Sequence, residues 1–194
     1  MSAVKTPLAR LSYARLHSPQ KDTDGKDKYS CMLIFEPGAD LEELEDAAWD
    51  QALEFFGSEK KMPSGVRKRK LDGGSGWPFR DGEDQDGKDG HEDGGRYINV
   101  STKGKAPNVV RKEKGITYFV DEDEIKSGDY VKAMVTPKGF DVDTNKGVTF
   151  YLGNILLVKP GEALGGGGSD PSDDFSDDED SEVEDIAEDE HNIM

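Results

Sequence analysis

The sequence predicts a mainly β protein: a small antiparallel barrel with one covering helix, a long loop rich in Gly, Asp and Lys, and a disordered acidic C-terminal tail. Three observations predict it. Six runs of strand-forming residues punctuate residues 8–158, a single stretch has helical spacing, and strands and helices do not alternate as in a doubly wound sheet. Residues 170–194 then hold thirteen Asp or Glu and no Lys or Arg, too few apolar groups to fold alone.

The elements follow in order. Residues 8–16 mix alternation with short side chains, and residues 28–35 read Lys-Tyr-Ser-Cys-Met-Leu-Ile-Phe, rich in strand formers. Residues 18–27 between them are polar, with Pro19 and Gly25 as turn residues, so the two strands form a meander. Glu36-Pro37-Gly38 ends the second strand. Asp40 stands three residues before Glu43, the spacing of a capping box. Leu41, Leu44, Ala48, Ala52 and Phe55 fall at helical intervals, Trp49, Leu53 and Phe56 widen the stripe, and Gly57 supplies a stop. Strands resume at residues 96–102, 115–120, 130–137 and 148–158, and Lys159-Pro160-Gly161 closes the last. The order β-β-α-loop-β-β-β-β points to an OB-fold-like barrel. Phe35, Phe119, Phe150 and the single Cys31 are assigned to its core.

Charge divides the chain. The formal net charge is -17, of which the tail supplies most. Residues 81–93 add seven acids against Lys88, and the remainder keeps 24 basic and 22 acidic residues. The body is therefore near-neutral to mildly basic. We divide the chain into a domain over residues 1–161, a glycine-rich linker over 162–169 and the tail over 170–194. Residues 1–10 lack the apolar core of a signal peptide, and no run approaches the ~20 apolar residues of a membrane span, which predicts a soluble, intracellular protein. One cysteine excludes an internal disulfide and a Cys-based zinc site.

Catalysis finds little support. The three histidines, His17, His91 and His191, are scattered, and no phosphate-binding glycine motif occurs. The acidic loop fails as a calcium site. Counted from Asp84, Lys88 occupies the fifth position, and counted from Asp81, Asp86 falls where glycine is required. Asp22-Thr23-Asp24-Gly25 fails similarly, with Lys26 in fifth place. The expectation is no enzyme, no metal and no cofactor.

Nucleic-acid binding fares better. Single-strand binders pair a basic groove with aromatic faces on which bases stack. Lys26 and Lys28 precede Tyr29, Arg80 follows Trp77 and Phe79, and Arg96 precedes Tyr97. Lys103 and Lys105 end that strand, Lys132 follows Tyr130 by two residues, and Lys138 adjoins Phe140. Tyr29, Tyr97 and Tyr130 start strands, where a ring can sit at a groove rim. Trp77 and Phe79 lie in a polar, Gly-rich loop, where a large ring either anchors the loop or meets a ligand. Arg67, Lys68, Arg69 and Lys70 attract phosphate without reading sequence. The expected stacking set is Tyr29, Trp77, Phe79, Tyr97 and Tyr130; the expected backbone-charge set is Lys26, Lys28, Arg67–Lys70, Arg80, Arg96, Lys103, Lys105, Lys132 and Lys138.

The order of features resembles the phage-encoded single-stranded DNA-binding proteins of the OB-fold type, similar in design to the helix-destabilising proteins of T-odd coliphages. The resemblance spans residues 5–161. It is carried by Leu11-Ser12-Tyr13-Ala14, Lys28-Tyr29-Ser30, the loop from Asp72-Gly73 to Arg80-Asp81-Gly82, and Gly95-Arg96-Tyr97-Ile98-Asn99-Val100-Ser101. Pro107-Asn108-Val109-Val110, Ser127-Gly128-Asp129-Tyr130-Val131 and Gly147-Val148-Thr149-Phe150-Tyr151-Leu152 complete it. The resemblance implies sequence-tolerant coating of single-stranded DNA in phage replication, recombination and repair, without catalysis, in the cytoplasm of the infected host. It also implies an acidic tail that recruits replication or recombination partners. The best-known tails end in an aromatic residue; this one ends His191-Asn192-Ile193-Met194, which makes Ile193 and Met194 the candidate apolar plug. The tail is further expected to compete with DNA for the basic groove. A homodimer is compatible with this reading. The rival class is an interaction protein whose tail mimics DNA toward a host nucleic-acid-binding protein.

Overall fold

A computed structural model describes residues 2–85 and 90–164. It contains β1 (Val4–Lys5), β2 (Ala9–Lys21), β3 (Asp27–Phe35), α1 (Glu42–Phe56), α2 (Ser64–Arg67), β4 (Phe79–Asp81), β5 (Arg96–Lys103), β6 (Val109–Glu113), β7 (Ile116–Phe119), β8 (Tyr130–Val142) and β9 (Asn145–Lys159). Strands β2, β3, β5, β9 and β8 pair in that order, and β8 returns to β2, so five strands close a ring. Every junction in the ring is antiparallel except β5–β9, where Val100 faces Phe150 and Ser101 faces Tyr151 in parallel. This is the closed Greek-key barrel of the OB-fold expected from the strand order.

Alternation explains which faces close inward. In β3, Cys31, Leu33 and Phe35 are buried in the main core, with Ile98 and Val100 of β5 and Val148, Phe150 and Leu152 of β9. Helix α1 lays Leu44, Ala48 and Ala52 into the same core, one residue per helical turn, and rests mainly on β8 and β9. Its start is one residue later than the capping-box spacing suggests. Leu41 occupies the N-cap without a side-chain cap, while the Asp40 carboxylate accepts the Glu42 N–H at 3.1 Å. Gly57 ends it in the left-handed conformation at φ 75°, its N–H donating to the Leu53 carbonyl.

Two hairpins run longer than their apolar patterns. β2 continues to Lys21 through two register shifts, and the first of these leaves Tyr13 at φ 47°. Such a bulge adds an unpaired residue and re-aims its side chain. β8 and β9 pair as far as Val142 and Asn145, so their turn projects beyond the barrel.

Three strands have no counterpart in the sequence reading: β1 pairs β8, β4 pairs β5, and β6 pairs β9. The expected strand at residues 115–120 exists as β7, but only as the outer partner of β6. Its alternation resembles a core strand, yet all four residues are exposed and Phe119 is 75% exposed. The assignment of Phe119 to the core is therefore corrected, since an edge hairpin has no second layer to pack on. Phe35, Phe150 and Cys31 are buried as expected.

Candidate nucleic-acid interface

The outer face of β3 and β5 is fixed by their register. Lys28 lies opposite Lys103, Ser30 opposite Ser101, Met32 opposite Asn99 and Ile34 opposite Tyr97. The intervening pairs, Cys31 with Val100 and Leu33 with Ile98, turn into the core. Thr149 and Tyr151 extend this outer face onto β9, because Val148, Phe150 and Leu152 take the inward positions. Tyr13, pushed out by the β2 bulge, forms the opposite wall of a groove of about 660 Å³ floored by Ser30, Met32, Asn99 and Ser101.

Tyr13 and Tyr151 are 58% and 48% exposed, and each offers open ring surface beside a polar floor. The Lys138 ammonium sits 5.1 Å from the Tyr151 ring centroid, within cation–π range. Lys28 is half-buried at the groove end, and Lys103 is exposed opposite it. Lys103 Nζ lies 2.6 Å from Asp22 Oδ2 in the β2–β3 turn. That hydrogen bond holds the Asp22 carboxyl below its ordinary range, helped by the Lys26 N–H, and raises Lys103. The site thus combines cations, two exposed rings and hydrogen-bonding hydroxyl and amide groups, the set that grips a single strand without reading sequence.

Of the expected charge set, Lys28 lines this groove, Lys103 lies opposite Lys28, and Lys138 lies opposite the groove residue Thr149. None of the expected rings lines it. Phe79 is fully buried and packs edge-on against Phe150, and Trp77, 3% exposed, lies beside it. Their stacking role is corrected. The Gly-rich loop folds back onto the barrel, where the Gly76 carbonyl accepts the Val148 N–H at 2.8 Å and β4 adds Phe79 opposite Ile98. Tyr29 has the inward parity of Cys31 and Leu33 and is half-buried away from the groove. Tyr130 is enclosed by Arg10 at 5.9 Å and Lys159 at 4.4 Å, and its hydroxyl donates to Glu36.

Tyr97 lies on the correct face but is covered. Leu164 packs on it with Met32 and Ile34, and His91 meets its ring edge-on at 5.2 Å. The covering segment is clamped by the Ser127-Gly128-Asp129 turn. The buried Asp129 carboxylate accepts the N–H groups of Lys126 and Gly161, and the Leu164 N–H donates to the Ser127 carbonyl. Arg10 ties the same strap through the carbonyls of Gly128 and Glu162. A side chain on Gly128 or Gly161 would run into the facing backbone, which is why both positions are glycine. The strap brings Leu164 against Met32, a residue of the groove floor.

The other expected cations are dispersed. Arg69 is structural: at φ 47° it lays its guanidinium over Trp49 at 4.8 Å and beside Glu45. Arg96 pairs with the same Glu45. Arg67 at the end of α2 and Lys68 just after it are exposed, Lys26 and Lys105 lie in exposed turns, and Lys132 is half-buried on β8. Lys70 borders a cavity on the far side of the Gly-rich loop, and Arg80 a narrow cleft next to the groove. Ile193, Met194 and the rest of the tail lie outside the described residues, as do residues 86–89 of the acidic loop.

Known proteins corroborate this architecture. No curated protein sequence matches the chain. Among solved structures, the C-terminally truncated single-stranded DNA-binding protein from bacteriophage Enc34 is similar with a TM-score of 0.61 at 20% identity, covering 84% of this chain and 88% of that one. The Enc34 protein in complex with ssDNA gives 0.60 at 19% identity, covering 84% and 90%. Gp2.5, a single-stranded DNA binding protein encoded by bacteriophage T7, gives 0.59 at 19% identity, covering 95% and 96%. These likenesses establish the fold. The family model described as Enterobacter phage Enc34, ssDNA-binding protein, matches residues 2–186. The chain belongs to that family of phage ssDNA-binding proteins, whose function is binding rather than catalysis.

Proposed function

We propose that this protein binds single-stranded DNA along the outer face of β3, β5 and β9, and so coats and protects single strands during phage replication, recombination and repair in the cytoplasm of the infected host. One observation carries the reading: exposed Tyr13 and Lys28 line a polar groove, exposed Tyr151 stands in register beside its Ser101 with Lys138 over the ring, and Lys103 lies opposite Lys28. Bases stack on the rings while the ammonium groups neutralise phosphates, so binding tolerates any sequence and weakens steeply with salt.

The acidic tail acts as a tethered competitor for this groove and recruits replication or recombination partners when DNA displaces it. Two features support that reading. The strap brings Leu164 against Met32, a groove residue, and the tail that follows is a polyanion. Covalent attachment through a short linker gives an effective concentration of roughly millimolar, enough for weak electrostatic contacts to compete. The rival reading, a tail that mimics DNA toward a host protein, leaves the groove without a role.

Fluorescence polarisation with labelled oligo-dT over a salt series tests both parts, using the full chain and one ending at residue 164. The full chain should bind with an affinity that falls as salt rises, and truncation should raise affinity most at low salt. Salt-independent or absent binding would refute the groove reading. Equal affinities of the two chains across the series would refute autoinhibition.

A further inference from the structure

The barrel groove does not end blindly. Asn99 and Thr149 line both the groove and a narrow cleft of about 130 Å³ bordered by Trp77 and Arg80. Gly74 and Asn145 line both that cleft and a second chamber of about 670 Å³ on the far side of the Gly-rich loop. The three spaces therefore adjoin one another through shared wall residues, in a row from Tyr13 to the tip of the β8–β9 hairpin.

The far chamber is cationic. Lys61, Lys70 and Lys146 border it, and Arg80 stands at the waist with its guanidinium against Gly73. Lys61 has no ion pair among the described residues. Lys70 lies 3.8 Å from Asp72 and Lys146 2.9 Å from Asp141, and all four side chains are about half exposed. Exposed pairs of this kind contribute at most about 1 kcal/mol, so a phosphate exchanges for the carboxylate at little cost. Among the described residues, no aromatic ring borders the chamber. Its walls are held in place: Gly65 packs directly on the Ser75 backbone, Ser75 Oγ donates to the Lys70 carbonyl, and the Gly76 carbonyl accepts the Val148 N–H. In the cleft wall, the buried Trp77 indole N–H finds no acceptor among the described residues.

We propose that the DNA track continues from the barrel groove past Arg80 into this chamber, where Lys61, Lys70 and Lys146 hold the sugar–phosphate backbone without stacking its bases. This rests on the single-stranded DNA reading and adds to it a second segment of different chemistry. The groove grips bases and phosphates, whereas the chamber grips phosphates alone. Binding therefore strengthens with oligonucleotide length beyond what the groove holds, and the added nucleotides need no bases.

The test uses the full chain and labelled oligo-dT of about 4 and about 12 nucleotides, lengths within the usual range for one OB-fold. The variant Lys61→Ala/Lys70→Ala/Lys146→Ala should leave the short oligonucleotide unaffected and weaken the long one. Its salt slope on the long one should fall by about 2, at roughly 0.7 for each phosphate that is no longer neutralised. Wild-type protein should bind a long oligonucleotide with one abasic half as tightly as the complete one. The pair Lys28→Ala/Tyr151→Ala should weaken both lengths, which separates groove from chamber. The extension is overturned if the triple variant binds the long oligonucleotide like wild type, if it weakens both lengths equally, or if the abasic half abolishes the gain with length. Wild type that binds neither length overturns the single-stranded DNA reading and the extension with it.

Discussion

Replacing Tyr151 with alanine separates DNA binding from folding more cleanly than any other single change. Tyr151 is 48% exposed and faces outward between Ser101 and Thr136, so the core beneath it, Phe150 and Leu152, is untouched. What the substitution removes on the surface is a cross-strand neighbour and the ring under Lys138, each contributing on the order of 0.5 kcal/mol. Stability should therefore fall by less than about 1 kcal/mol. If one base stacks on the ring, binding loses about 1–3 kcal/mol. At 1.4 kcal/mol per tenfold, that is a dissociation constant roughly 5- to 150-fold higher. No charge changes, so a plot of log affinity against log salt should shift in parallel, with its slope kept. Tyr151→Phe keeps the stacking surface and should bind like wild type. Polarisation titrations with oligo-dT and thermal melts of the three proteins give every number needed. Unchanged affinity of the alanine variant would refute the stacking role. So would a phenylalanine variant as weak as the alanine one, or a loss that tracks a collapse in melting temperature.

Other consequences follow from neighbouring contacts. Asp22→Asn frees Lys103 for phosphate while the Asn oxygen still accepts the turn N–H groups, so affinity should rise at low salt and the salt slope steepen by about 0.7; unchanged affinity and slope would show that Lys103 does not touch DNA. Because the carboxyl of Asp22 is held below its ordinary range in the folded protein, the stability it contributes is present at neutral pH and is lost as pH falls through that lowered value. The acid limb of the stability curve should accordingly flatten in the Asn variant. Cys31 lies beneath the groove floor with its thiol pushed up to about 12 by burial, so native protein should resist thiol reagents until it is unfolded. Gly161→Ala should detach the strap, losing the burial of Leu164 and the Asp129 clamp at a cost of about 2–3 kcal/mol, read as faster amide exchange at Leu164. Exchange at the wild-type rate would show that the strap is held by something else.

Much of the fold is legible in the sequence because its strands carry the period of two and its helix the period of 3.6. The elements that escape are the short ones: β4 is three residues long, and β6 reads Val-Val-Arg-Lys-Glu, more charge than strand signal. Both exist because the barrel offers them an edge, a tertiary fact with no local signature. At the site, Lys28, Lys103 and Lys138 are legible from their place beside strand residues. Tyr151 is within reach of the same logic, since Val148, Phe150 and Leu152 claim the inward positions and leave it outside. Tyr13 is not, because its exposure depends on a bulge. Trp77 and Phe79 mislead for a physical reason. Their polar, Gly-rich flanks look solvated, yet those glycines allow Gly76 and Gly147 to meet backbone to backbone and carry the rings inside. Tyr97 falls on the correct face, but the segment that covers it lies at the far end of the domain.

Photo-crosslinking of full-length protein to oligo-dT, with the attachment sites mapped by mass spectrometry, addresses the central claim most directly. Among the described residues, the exposed rings of Tyr13 and Tyr151 at the groove compete for the crosslink with those of Tyr118 and Phe119 on the β7 edge and with Phe55 on α1. Crosslinks concentrated on Tyr13 and Tyr151, suppressed by added salt, are the predicted result. Crosslinks confined to the β7 edge, with the groove tyrosines unmodified, would contradict the account.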